Sequence, residues 1–147
     1  MARYLQFCID MVALRSQNVE YNVLASGADW AWPVALRELF KPRDINLLVA
    51  QKADDFVDVI RQRRVHTAIV DMGSESLALT TVKIIRMDYP FVPCILLSGD
   101  AGQDVLSKAL KLDVFSVIEK PVDMEVLRKQ LNRLFVKRYN SNIFQQM

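Results

Sequence analysis

Three apolar runs in this sequence each end on a residue that could handle an anion. Ala68-Ile69-Val70 leads into Asp71, Ile95-Leu96-Leu97 into Ser98-Gly99, and Val117-Ile118 into Glu119-Lys120-Pro121. A carboxylate, a hydroxyl and an ammonium on one rim make an anion site with Asp71 at its centre: Lys120 supplies charge, and Ser98 and backbone N–H groups supply hydrogen bonds. Taken singly, each residue also has a plain structural account. A carboxylate ending a strand forms turns or caps helices, Ser-Gly is ordinary loop chemistry, and a lysine before a proline is commonly a solvated charge. Their order and shared position single them out. Of the four glycines, Gly27, Gly73 and Gly99 sit at such run ends and Gly102 lies close by, where tight turns and close backbone approach are useful.

The elements that must position these residues alternate regularly from residue 21 onward. Continuous apolar runs predict strands at Tyr21 to Ala25, Ile45 to Ala50, Thr67 to Val70, Cys94 to Leu97 and Val114 to Ile118. Helical spacing predicts helices at Val34 to Phe40, Ala53 to Arg63, Leu77 to Met87, Asp104 to Leu112 and Asp123 to Arg138. Asp123 serves as the last helix's N-cap, with Val126, Leu127, Leu131, Leu134 and Phe135 as its buried stripe. Strands without polar alternation are buried on both faces. The pattern therefore predicts an α/β fold, a three-layer, doubly wound, five-stranded parallel sheet. In such sheets ligands bind beyond the carboxyl ends of the strands, where Asp71, Ser98 and Lys120 fall. Residues 1–20 form an N-terminal extension, read as an amphipathic helix with Tyr4, Leu5, Cys8, Met11, Val12 and Arg15 on one face. Residues 21–138 form the domain, and residues 139–147 a polar, frayed tail.

Composition narrows the function classes. The 147 residues are 52% hydrophobic and 24% charged, enough for one core. A net charge of +2 does not argue for nucleic acid. Cys8 and Cys94 are far apart and read as reduced thiols of a cytoplasmic protein; with one histidine, His66, no His/Cys metal cluster can be assembled. No apolar run reaches membrane-spanning length. No nucleophile–base pair or nucleotide-binding glycine loop is visible, which sets aside an enzyme on this frame.

The strand ends Ala-Ile-Val-Asp71, Ile-Leu-Leu-Ser98-Gly99 and Val-Ile-Glu-Lys120-Pro121 resemble those of the response-regulator receiver family, which has a flavodoxin-like fold. The likeness covers residues 21 to 138. It implies strand order 2-1-3-4-5 and a cis bond before Pro121. It also implies phosphoryl transfer from a histidine kinase or phosphotransfer protein to Asp71. Ser98 would then hydrogen-bond the phosphoryl group and Lys120 would pair with its charge. Mg²⁺ would be held by Asp71, the backbone carbonyl of Gly73 and carboxylates after the first strand.

Three positions depart from the family pattern. The acidic pair after the first strand is replaced by Ser26 and Gly27, leaving Asp29 as the nearest carboxylate, so weak Mg²⁺ binding is expected. The loop after Asp71 reads Met72-Gly73-Ser74-Glu75-Ser76. The switch position, aromatic in the family and acting with Ser98, is Val117; period 2 sets Phe115 on the same side of that strand. Trp30 and Trp32, beside the pocket, read equally as a lid or as interface anchors. Arg128, Lys129, Arg133, Lys137 and Arg138 read as a solvated basic face. Two functions remain: a phospho-accepting receiver in two-component signalling, favoured by the retained trio, and a pseudo-receiver binding proteins without phosphorylation, favoured by the missing acids and Val117. Either works through a downstream protein partner, and a homodimer fits both. Neither calls for nucleic acid or membrane.

Overall fold

The structure, a computed structural model, describes residues 20–26, 32–71, 75–99 and 102–145, with backbone alone at 32, 33 and 75. The elements run β1 (Asn22–Ser26), α1 (Trp32–Phe40), a 3-10 turn (Lys41–Arg43), β2 (Asn46–Ala50), α2 (Ala53–Gln62) and β3 (Thr67–Val70). They continue with α3 (Glu75–Asp88), β4 (Cys94–Ser98), α4 (Gln103–Lys111), β5 (Ser116–Glu119) and α5 (Met124–Tyr139). All strand pairs are parallel and the order is β2-β1-β3-β4-β5, as the apolar runs and the family resemblance predict. The proposed N-terminal helix, Asp29, Trp30 and Gly73 lie outside the described residues.

Burial explains the sheet order. β1, β3 and β4 are buried along their whole length, while the edge strands β2 and β5 are only partly covered. Alternate side chains of each central strand enter different layers. On one face Val23, Ala25, Ile69, Ile95 and Leu97 meet α1 and α5 through Leu36, Phe40, Leu127, Leu131 and Phe135. On the other, Leu24, Ala68, Val70 and Leu96 meet α2, α3 and α4 through Phe56, Val82, Ile85 and Ala109.

The structure corrects the sequence reading at several points. β5 begins at Ser116, so Val114 and Phe115 precede it and the period-2 argument does not reach Phe115. Phe115 packs in the α1/α5 layer under the Arg133 guanidinium, whereas Val117 packs in the opposite layer. Asp123 does cap α5, its Oδ1 accepting from the N–H groups of Glu125 at 2.9 Å and Val126 at 3.4 Å. Val126 itself is exposed rather than part of the buried stripe.

The tail is not frayed through residue 145. After α5 the chain turns at Asn140, which adopts the left-handed conformation and donates its N–H to α5 carbonyls. It folds back to bury Phe144 completely between Phe40 and Phe135. Arg128 is correspondingly not a solvated charge. Its guanidinium donates to the Phe144 carbonyl at 2.6 Å and pairs with Glu125.

Candidate functional site

The carboxyl ends of β1, β3, β4 and β5 converge on Asp71. Asp71 follows β3 directly and is almost wholly buried, a costly position for a carboxylate unless it is paired. Lys120, just beyond β5, supplies the pairing: its Nζ donates to both carboxylate oxygens, at 3.0 and 3.1 Å. The lysine side chain keeps 31% of its surface exposed, so the ion pair opens to solvent through the lysine. The Lys120 backbone N–H donates to the Ser98 carbonyl at 2.8 Å, which ties the turn after β5 to the end of β4. The next peptide bond, Lys120–Pro121, is cis.

Ser98 ends β4 and is buried. Register places Val70 opposite Leu96, so Asp71 lies level with Leu97, one residue short of Ser98 on the neighbouring strand. Asp71 and Lys120 are in direct contact, and Ser98 is joined to Lys120 through its backbone carbonyl. Gly99 is less constrained than its place suggests. A Cβ there would meet only Lys120 Cε at 3.7 Å, an ordinary contact.

Ser26 has a role that sequence reasoning missed. The sequence marks it only as a neutral residue where the resemblance implies an acid, yet it is fully buried and its Oγ accepts the Asp71 backbone N–H at 2.8 Å. The hydroxyl therefore holds Asp71 by its backbone. No pattern in the sequence marks this bond, because Ser26 and Asp71 meet only through the β1–β3 pairing.

Mg²⁺ requires several oxygen ligands, mostly carboxylates and waters, in strict octahedral geometry. Among the described residues no cluster of three acidic, histidine or cysteine side chains exists. Asp71 offers one carboxylate, already engaged by Lys120, and the neighbouring position holds the neutral Ser26. The described residues alone do not fit the ion. No helix among them is long and apolar enough to cross a membrane.

Comparison with known proteins agrees with this geometry. The family model described as the response regulator receiver domain matches residues 33–132. A putative response regulator, NtrX-like, of Rickettsia typhi is 30% identical over 96 residues, covering 63% of this chain and 20% of that protein. Its counterpart in Rickettsia bellii is 28% identical over 98 residues, covering 65% of this chain and 20% of that protein. The chain therefore spans about a fifth of the length of the curated relatives it matches. Among solved structures, the signal receiver domain of an HD domain-containing protein from Pseudomonas fluorescens Pf-5 superposes with a TM-score of 0.73 at 21% identity, covering 84% of this chain and all of that one. The chemotaxis protein CheY4 of Vibrio cholerae gives 0.69 at 19% identity, covering 79% and 99%. With the family model matching well over half of its residues, the chain belongs to the response regulator receiver domain family.

Proposed function

We propose that Asp71 is the phospho-acceptor of this receiver domain and that Ser98 and Lys120 are its phosphoryl-binding partners. The observation that supports this most is the contact of Lys120 Nζ with both oxygens of a buried Asp71 carboxylate. In the reaction an Asp71 oxygen attacks the phosphorus of a phosphohistidine on a histidine kinase or phosphotransfer protein. The P–N bond breaks, its electron pair returns to the imidazole, and an acyl phosphate forms on Asp71. Lys120 moves from the carboxylate to the phosphoryl oxygens, and the Ser98 hydroxyl donates to one of them.

Receiver domains commonly bind Mg²⁺ at an acidic pocket. In this chain we place the contribution of Mg²⁺ low, because Ser26 stands where the family has an acid, with Asp29 and the Gly73 carbonyl as the remaining candidates beside Asp71. The signal leaves through changed protein contacts, with Ser98 and Val117 as the switch residues. Val117 is smaller than the family's aromatic, so its side chain sweeps a smaller surface. The output is a downstream protein or a second copy of the domain.

Intact mass after incubation with acetyl phosphate, with and without Mg²⁺, tests the assignment. The expected result is the mass of one phosphoryl group, absent in Asp71→Asn. A mass gain that persists in D71N moves the acceptor elsewhere. No gain in the wild type under either condition leaves a protein-binding receiver fold without phosphoryl chemistry.

A further inference from the structure

At the end of the sheet opposite Asp71, a recess of about 650 Å³ opens where α2, α3 and α5 finish and β3 and β4 begin. The path from Val65, in its lining, to Asp71 runs along β3 and spans about 20 Å at about 3.3 Å per residue. Its lining combines two chemistries. Arg63, Arg64 and Arg138 supply three guanidinium groups, while Tyr89, Pro90 and Phe91 supply an apolar wall.

Neither half is explained by the fold alone. None of the three arginines forms an ion pair with a described residue. Glu20, which precedes β1 at the same end of the sheet, is engaged by Asn46 Nδ2 at 2.8 Å. A cation near a helix C-terminus interacts favourably with the helix dipole, which accounts for Arg63 at the end of α2 and Arg138 in the last turn of α5. It does not account for gathering three like charges around one recess, where they repel one another until an anion enters. Phe91 is 87% exposed on the rim, and nothing in the domain's own core requires a phenylalanine there. An aromatic ring beside unpaired arginines is the composition of a protein interface anchor.

We propose that this recess docks an acidic peptide segment of a partner protein. In this arrangement an apolar side chain of the peptide seats against Phe91 and Tyr89, and flanking carboxylates pair with Arg63, Arg64 and Arg138. Arginine suits carboxylates through its forked donors. A nucleic acid would call for a continuous basic stripe, whereas here the charge surrounds a recess with an apolar wall. Because the recess lies at the far end of β3, a partner held there leaves Asp71 open to its phosphoryl donor.

Fluorescence anisotropy with the full chain tests this. The probe is a fluorescein-labelled peptide of Glu and Asp around one central Leu, compared with the same peptide in Gln and Asn. The acidic peptide should bind saturably and the amide peptide about tenfold more weakly. R63Q/R138Q and F91A should each weaken the acidic peptide about tenfold with unchanged melting, since all three side chains are exposed. Equal binding of the two peptides, or binding indifferent to both variants, overturns the proposal. Three other results replace the occupant and equally overturn it. These are a peptide-free dimer in sedimentation velocity that F91A dissociates, a photo-cross-linker at position 91 that captures residues 1–19 of the same chain, and duplex DNA that displaces the peptide at equal charge concentration.

Discussion

The hydroxyl of Ser26 accepts the backbone N–H of Asp71 at 2.8 Å, both residues being buried. A neutral side chain at the end of β1 thus clasps the backbone of Asp71. Ser26→Ala leaves a buried N–H without its partner and should cost about 1–3 kcal/mol in urea denaturation. Ser26→Asp sets a second carboxylate beside Asp71. It should lower the melting temperature in EDTA through like-charge repulsion and recover it with millimolar Mg²⁺, whereas the wild type should respond little. An S26D protein as indifferent to Mg²⁺ as the wild type would show that more than this one acid is missing.

The Asp71–Lys120 pair predicts an asymmetry. Lys120→Met strips the counter-charge from a buried carboxylate and should destabilise the domain by about 2–3 kcal/mol. Asp71→Asn leaves a lysine that can turn to solvent, since 31% of its side chain is already exposed, and should stay within about 1 kcal/mol of the wild type. Chemical denaturation of the two variants compares them directly. Equal losses would mean that the pair is held by packing around the lysine stem rather than by burial of the carboxylate.

His66 makes stability depend on pH. Its Nδ1 accepts the Asn22 backbone N–H at 3.0 Å, so the ring is neutral in the fold. Burial, with the nearby positive charge of Arg64, holds its pKa below the ordinary 6.5. The unfolded chain takes up a proton below about pH 6.5 that the folded chain refuses. Stability should therefore be full above that pH and fall as pH drops through it, levelling off below the folded-state pKa. His66→Asn, whose Oδ1 can accept the same N–H, should flatten this part of the profile. A slope unchanged in H66N would assign the acid sensitivity to the carboxylates instead.

The sheet, and the rim on which Asp71, Ser98 and Lys120 fall, are legible in the sequence for one reason. Strands buried on both faces are written as unbroken apolar runs, and the residue ending each run lands on the same rim. Where that signal continued past its element, it misled. Val114 and Phe115 extend the apolar run before β5, so the pattern starts the strand two residues early and puts Phe115 on the wrong face. Ser26 looks like a gap in the sequence because its value lies in a hydrogen bond to a residue 45 positions away. The role of Arg128 escaped because its partner is a backbone carbonyl in a tail with no periodic pattern.

That tail gives the last prediction. Phe144 fills a space lined by Phe40 and Phe135, with ring centroids 5.6 and 5.0 Å away, and it is fully buried. Phe144→Ala should cost about 3 kcal/mol, the usual scale for emptying a core aromatic site, rather than the near-zero cost expected of a frayed end. Arg128→Met keeps the apolar stem but removes the donor to the Phe144 carbonyl, and should cost about 1–2 kcal/mol. A second anchor works beside it: Arg43 Nε donates to the Ile143 carbonyl at 3.0 Å, and its guanidinium lies 5.8 Å from the centre of the Phe144 ring. If ring and guanidinium hold one latch, the double variant should lose about 1 kcal/mol less than the two singles added, because either change already releases the tail. Strict additivity in urea denaturation would instead mean that Arg128 acts through its pair with Glu125, and that Phe144 stays seated without the hydrogen bond to its carbonyl.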